Sequence, residues 1–140
     1  MSLNVPALRS SFELVVEREP QLTHRFYDIL FQRYPQTKPM FRNNPRQEQE
    51  KMLTDVLVKL MDHLEDAPWL VRELGALGSK HADYGVTDEM YGWVGASLLE
   101  ALEQVAAEEW TPELAAAWSD AFQAIASLMQ AGARQHADAE

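Results

Sequence analysis

One histidine shares a face of a leucine-rich segment. Leu70, Leu74, Leu77 and His81 follow one another at steps of four, three and four residues, so their side chains lie on one side of a helix. A neutral imidazole on an apolar face can bind a metal ion, and it can equally be a structural histidine with its ring nitrogens hydrogen-bonded. On periodicity alone the structural role is the commoner one. The segment ends near Gly85, where the chain is free to turn away.

Two further polar residues lie on faces that are otherwise apolar. Gln49 shares a predicted helix face with Leu53, and Tyr27 adjoins Phe26 in an earlier segment. Gln49 could be a boundary residue whose amide reaches solvent, and Tyr27 a core tyrosine with its hydroxyl at the rim. Together with His81, however, they suit a flat apolar cavity between two helices of opposite direction. A planar iron macrocycle fits such a cavity, with the imidazole on one side and the two donors facing a diatomic ligand on the other.

Composition limits the classes of function. The chain has 140 residues, a net charge of −10 and no cysteine, which excludes disulfides, thiolate zinc sites and covalent haem attachment. Nucleic acid and anionic membrane surfaces are held mainly by Lys and Arg, so neither is expected as a partner. No basic segment precedes an apolar run at the start, and no run of about 18 apolar residues occurs. We therefore expect one cytoplasmic domain over residues 1–140.

Apolar residues recur at intervals of three and four, which predicts an all-α protein. The first helix runs from about Pro6 to Glu19, and Pro20 suits the first turn of the second. The proline-rich residues 34–45 allow only a short turn of helix before a loop. The predicted core stripes contain Leu8, Phe12, Val15, Leu22, Phe26, Ile29, Leu30, Tyr34, Val56, Leu57, Leu60, Leu64, Leu98, Leu102, Val105, Leu114, Trp118, Ala121, Phe122, Ile125 and Leu128.

The last two helices carry start and stop signals of their own. Thr87 is expected to cap one of them, with Asp88 and Glu89 favouring its N-terminal dipole. Thr111 marks the start of the final helix. The polar stretch GARQHADAE closes the chain, and we expect residues 131–140 to fray.

Nearly the whole chain, from about Leu8 to Met129, resembles the bacterial globins, in particular single-domain globins and the haem domain of flavohaemoglobins. The stretch LTHRFYDILFQRYPQTKPMF is similar to the second helix and following corner of that family. On this resemblance Tyr27 is the distal tyrosine and Phe41 the phenylalanine that wedges the haem. AWSDAFQAIASLM is similar to the family's last helix.

The remaining matches lie on the two helices that face the haem in that family. In QEQEKML, Gln49 matches the distal glutamine and Leu53 the residue one turn later. A shift of one residue in the loop before them would put Glu48 in place of Gln49. In SKHADYG, His81 matches the proximal iron ligand, and its neighbour Lys80 the residue that meets a haem propionate.

The helix after the proximal histidine carries the last matches, in MYGWVGASLL. Tyr91 there matches a tyrosine that packs near the proximal imidazole. Leu77 and Val94 are further expected contacts of the haem. The resemblance thus implies a globin fold with helices packed around a non-covalent haem b, iron protoporphyrin IX.

The resemblance also implies what the site does. Ferrous haem iron would bind O2, NO and CO, and donation from Tyr27 and Gln49 would hold oxygen with high affinity. Nitric oxide dioxygenation, with electrons from an external flavin reductase, is the reaction that suits this pocket; 140 residues leave no room for a fused reductase. The alternatives are oxygen storage or gas sensing without turnover, and a haem-free globin-like interaction domain. A monomer and a homodimer both remain open.

One position departs from the family's enzymes. These enzymes have a carboxylate near the end of the last helix, which joins the proximal tyrosine beside the outer nitrogen of the imidazole. The alignment places Gln135 there, which weakens the enzymatic interpretation. The other histidines, His24, His63 and His136, fall on polar or terminal positions and are expected to be solvated.

Overall fold

The fold comes from a computed structural model that describes residues 3–41 and 45–139, with the side chains of 136–139 left out. All regular structure in these ranges is helical, which confirms the all-α class. The elements are α1 (Val5–Arg18), α2 (Leu22–Arg33), a 3-10 helix (Pro35–Phe41), α3 (Arg46–Asp62), α4 (Ala67–Asp83), α5 (Asp88–Ala106), a second 3-10 helix (Ala107–Glu109) and α6 (Pro112–Ala139). Every helix in the described ranges is too short or too polar to cross a bilayer.

Side chains cap three of the helix starts by accepting a backbone N–H three residues later. The pairs are Asn4 with Ala7 on α1, Asp66 with Trp69 on α4, and Thr111 with Leu114 on α6. Thr87 occupies the predicted cap position of α5, but its side chain makes no capping hydrogen bond. Pro20 also lies outside α2, because the Leu22 N–H bonds to the Glu19 carbonyl in a turn before the helix begins.

The main core joins α1, α2, α5 and α6. The predicted stripe of α1 is confirmed, with Leu8 and Val15 fully buried. A polar link lies inside this core: the Trp118 indole N–H donates to the Ser11 hydroxyl at 2.9 Å, and that hydroxyl donates to the Ala7 carbonyl at 2.6 Å. Both of these donors, the indole N–H and the hydroxyl, therefore have a partner. We call the buried hydrophobic residues of this core the first cluster. Its members include Leu8, Phe12, Leu22, Phe26, Tyr27, Leu30, Leu57, Leu98, Leu102 and Trp118.

Glycines bring α4 and α6 into backbone contact. A Cβ on Gly78 would collide with the backbone carbonyl of Met129, and one on Gly132 with the backbone of Gly75. The same region holds a second cluster of buried residues, built on Leu60, Leu74 and Met129. Although we expected residues 131–140 to fray, α6 continues as helix to Ala139, and Gly132 lies against α4 within that stretch.

Candidate functional site

His81 lies half-buried in the last turn of α4, and its ring orientation is defined by one hydrogen bond. The Nδ1 atom is 2.8 Å from the Leu77 carbonyl oxygen. A carbonyl only accepts, so Nδ1 carries the proton and donates it. In a neutral ring Nε2 then holds the lone pair. The imidazole is thus in the tautomer that binds a metal through Nε2.

The backbone of His81 is held by the way α4 ends. Gly85 has a φ of 89°, in the left-handed region that glycine reaches without strain. Its N–H bonds to the Ala82 carbonyl at 3.0 Å, and the Val86 N–H bonds to the His81 carbonyl at 3.0 Å. These two bonds are those of a Schellman motif. Gly85 therefore ends the helix one turn after the histidine and fixes the carbonyl of His81 at the same time.

Tyr27 is buried in an aromatic group, and only 5% of its surface is exposed. Its ring centroid lies 4.9 Å from Phe26, 5.7 Å from Phe31 and 5.5 Å from Phe41. Phe41, at the end of the first 3-10 helix, packs edge-on against it. Four ring contacts in this group fix where the phenol lies, including a Phe31–Phe41 contact at 5.5 Å.

The environment of Tyr27 keeps its hydroxyl protonated. Burial raises the pKa of Tyr27 to about 12, and the negative charge of Glu50 adds to the rise while Arg46 opposes it. A phenol that keeps its proton in this apolar surrounding is a donor that suits a bound anion or a polarised oxygen.

The structure distinguishes the two candidates at the start of α3. Gln49 is half-buried and Glu48 is exposed, so Gln49 is the more buried of the two. Leu53, one turn later, is half-buried against the first cluster. Residues 42–44, where a change of loop length would exchange the two candidates, lie outside the described residues.

The proximal candidates lie partly in the second cluster. Leu77 and Tyr91 are half-buried and pack against it. Burial raises the pKa of Tyr91, and the charge of Asp88 adds to this. Val94, one turn further along α5, is 38% exposed, and Lys80 is exposed. Because it is exposed, the Lys80 ammonium can reach an anionic group at the edge of the site.

The sequence-predicted residues therefore form two groups. Tyr27, Phe41 and Leu53 pack with the first cluster, whereas Leu77 and Tyr91 pack with the second. The two clusters approach each other along α3, which supplies Leu57 to one and Leu60 to the other. The apolar side chains of both groups, apart from Tyr27, keep part of their surface open.

The chemistry of these residues suits a haem. A flat apolar group lying against Leu53, Leu77 and Val94 would cover their open surface. Within the described residues, no three His, Asp or Glu side chains converge to hold a metal ion. Haem iron is already coordinated by four porphyrin nitrogens, so the single Nε2 of His81 is a sufficient protein ligand.

Gln135 lies exposed on α6. The Nδ1 atom of His81 donates to the Leu77 carbonyl and not to Gln135. Gln130, also on α6, donates to Asp88 at 3.2 Å. The expected place of a proximal carboxylate is thus not filled by Gln135.

Two of the other histidines have partners that sequence reasoning missed. The His24 Nδ1 atom donates to a Glu50 carboxylate oxygen at 2.8 Å, which links α2 to α3. His63 donates to the Lys59 carbonyl at 2.8 Å and stacks on Trp69, with ring centroids 3.9 Å apart. No sequence signal predicted the His24 contact, because it joins residues on two helices. The side chain of His136 lies outside the described part.

Comparison with known proteins decides the family. The sequence profile of the family described as Globin matches residues 24–129. The chain belongs to the globin family. Membership confirms the predicted fold and identifies a kind of protein that carries haem and binds small gases.

The relatives of this globin agree with the predicted resemblance. It is 32% identical over 125 residues to flavohemoprotein B of Dictyostelium discoideum, and 26% identical over 124 residues to the flavohemoprotein of Bacillus subtilis. Those matches cover 88% and 87% of this chain but only 29% and 31% of the relatives, so it spans less than a third of their length.

Solved structures agree as well. A bacterial globin from Campylobacter jejuni superposes with a TM-score of 0.80 at 25% identity, covering 96% of each chain. An engineered carbene transferase from Rhodothermus marinus, named there provisionally as a nitric oxide dioxygenase, gives a TM-score of 0.81 at 23% identity, covering 94% of this chain and 91% of that one. The latter supports the fold alone.

Proposed function

We propose that this globin binds haem b through His81 and holds oxygen with high affinity between Tyr27 and Gln49. The observation that carries the proposal is the hydrogen bond from Nδ1 of His81 to the Leu77 carbonyl, because it leaves Nε2 free to hold iron. The carboxyl ends of the haem would lie toward Lys80. We also propose that the protein works in the cytoplasm, since nothing in its charge favours a membrane surface.

The haem supplies the iron at which O2, NO and CO bind. The chain supplies the polar contacts around that ligand. The Tyr27 phenol keeps its proton far above neutral pH. It donates a hydrogen bond in a desolvated pocket, where that bond is stronger than in water. The Gln49 amide provides a second donor. Phe41 holds the Tyr27 ring at an edge-to-face distance of 5.5 Å and so keeps the hydroxyl directed.

We infer that the reaction is nitric oxide dioxygenation, in which nitric oxide and oxygen become nitrate. The support comes from relatives named flavohemoproteins, which share the globin region of this chain. Each turnover needs one electron, and a flavin reductase outside this domain would supply it. In this proposal Tyr27 retains oxygen until nitric oxide arrives.

One observation favours oxygen storage as a second candidate. In the described residues, Nδ1 of His81 donates to a neutral carbonyl and not to a carboxylate, so the ring gains little anionic character. Such an imidazole is better suited to holding oxygen than to cleaving the oxygen–oxygen bond.

Reconstitution with haemin tests the cofactor. The purified protein should gain a stable Soret band, and His81→Ala should lose it. His63→Ala is a matched control, because His63 also donates from Nδ1 to a carbonyl one turn earlier, at 2.8 Å, but stacks on Trp69 instead of facing the site. A Soret band that survives unchanged in His81→Ala would refute the assignment.

Mixing the oxygenated protein with nitric oxide tests the reaction. Stoichiometric loss of nitric oxide with formation of nitrate is expected, and sustained loss once a flavin reductase and reduced nicotinamide are present. Tyr27→Phe should release oxygen faster, whereas Tyr84→Phe, a change at a tyrosine that is 73% exposed, should not. Rapid oxygen release without nitrate formation would instead favour storage.

A further inference from the structure

Four ionisable side chains join α2 to α3, and we call this set the clasp. Its members are His24 and Asp28 on α2 and Arg46 and Glu50 on α3. The α2 pair lies on either side of Tyr27 in the sequence, and the α3 pair lies on either side of Gln49. Both distal donors therefore sit between residues that tie the two helices together.

Three bonds of the clasp cross between the helices, and the Arg46–Glu50 bond lies within α3. A Glu50 carboxylate oxygen accepts from Nε of Arg46 at 2.9 Å and from Nδ1 of His24 at 2.8 Å. The terminal nitrogen of Arg46 donates to the Asp28 carboxylate at 2.6 Å and to the His24 carbonyl at 2.8 Å. The Arg46 guanidinium thus serves three partners and the Glu50 carboxylate two, in a single connected network.

Other links between these helices are few. The Thr23 and Thr54 hydroxyls are 3.1 Å apart, which is the other α2–α3 hydrogen bond in the described part of the chain. A lone exposed ion pair contributes little, but the Glu50 side chain is only 18% exposed and bonds twice, so the network holds better than its separate pairs.

The clasp is connected to the distal residues through Phe31 and through the backbone of α3. The Arg46 guanidinium lies 5.9 Å over the ring of Phe31, and that ring lies 5.7 Å from the ring of Tyr27. Glu50 follows Gln49 in the chain, so the carboxylate and the amide move with the same turn of α3. The charges of Glu50 and Arg46 also act on the phenol, in opposite directions.

We propose that the clasp fixes the spacing between the Tyr27 hydroxyl and the Gln49 amide, and thereby sets how long a bound gas is retained. Arg46 and Glu50 are positioning residues in this arrangement, since the clasp acts through the two donors. The inference rests on the proposed function and adds the control of ligand release to it.

The test compares Arg46→Met and Glu50→Gln with Lys51→Met in the haem-loaded full chain. Lys51 forms an ion pair with Asp55 at 3.2 Å within α3, and both residues are exposed, so this control removes a charge from the same helix without touching α2. The oxygen dissociation rate should rise about three- to tenfold in the two clasp variants, because a charge-assisted contact that positions a donor is lost. It should not change in Lys51→Met.

Two further readouts do not depend on oxygen. In the carbon monoxide complex, the C–O stretching frequency should rise in the clasp variants, since the bound ligand loses a hydrogen-bond donor. In the haem-free protein, amide hydrogen exchange over residues 46–53 should be about threefold faster or more in the clasp variants, and unchanged in Lys51→Met.

The outcomes separate the two proposals. If Tyr27→Phe speeds oxygen release while Arg46→Met and Glu50→Gln behave like Lys51→Met in all three readouts, the inference is overturned and the proposed function stands. If the unaltered chain holds no haem, the proposed function fails and the inference fails with it.

Discussion

Replacing Tyr27 by Phe should change how the stability of the haem-free protein depends on pH. The folded state holds the pKa of Tyr27 at about 12, against an ordinary value of 10.0. Between these values the unfolded chain loses the phenol proton before the folded chain does. Rising pH therefore favours unfolding, and the stability associated with this raised pKa is complete below about pH 10 and lost as pH rises toward 12.

The magnitude follows from that difference. At pH 11 an unfolded tyrosine is mostly ionised and Tyr27 in the fold is mostly neutral, which corresponds to about 1.4 kcal/mol of stability lost relative to pH 8. Only 5% of Tyr27 is exposed, so solvent screening reduces this little. Because Tyr27→Phe has no proton to lose, the difference in unfolding free energy between the two proteins should shift by that amount.

Urea unfolding at pH 8, 10 and 11, followed by circular dichroism, measures this difference. Tyr84→Phe is the control, since a tyrosine that is 73% exposed should give no pH-dependent difference. A wild-type minus Tyr27→Phe difference that stays constant from pH 8 to 11 would show that the hydroxyl is solvated. The desolvated donor in the proposed site would then be lost as well.

Three other substitutions test the scaffold by urea unfolding at neutral pH. Gly78→Ala should lower the free energy of unfolding by about 1–3 kcal/mol, since the new Cβ meets a backbone carbonyl of α6 and the helices must separate. A decrease smaller than that of a substitution at an exposed position would contradict the contact. Ser11→Ala should lose about 1–3 kcal/mol, because the buried Trp118 N–H keeps no partner. Ala107→Gly should raise the free energy of unfolding by roughly 0.5–1 kcal/mol, because the φ of 51° is strained for alanine. Ala116→Gly, the control at an exposed position of α6, should lower it by a similar amount.

The helices and their buried faces were predictable from the sequence because the signal is local. Residues three and four apart share a face, so a stripe such as Leu8, Phe12 and Val15 identifies the buried side without any knowledge of its partner. The same logic placed His81 beside Leu77. Its hydrogen bond to the carbonyl four residues earlier lies within that one helix.

Contacts between helices were not predictable in this way. Gly132 lies in a stretch whose polar composition suggested fraying, yet what matters there is the missing side chain, which allows contact with Gly75. His24 was expected to be solvated, because no pattern within one helix shows that it pairs with Glu50. Gln135 was assigned by alignment, and its exposure depends on how α6 packs.

The glycine contact between α4 and α6 limits how α4 can turn. A small rotation of α4 about its own axis would push Gly78 and its neighbours into the facing main chain near Met129. The direction of the Cα–Cβ bond at position 81 is therefore set by the packing of the helix pair. A different ligand introduced there would leave the main chain in the same direction as the imidazole does.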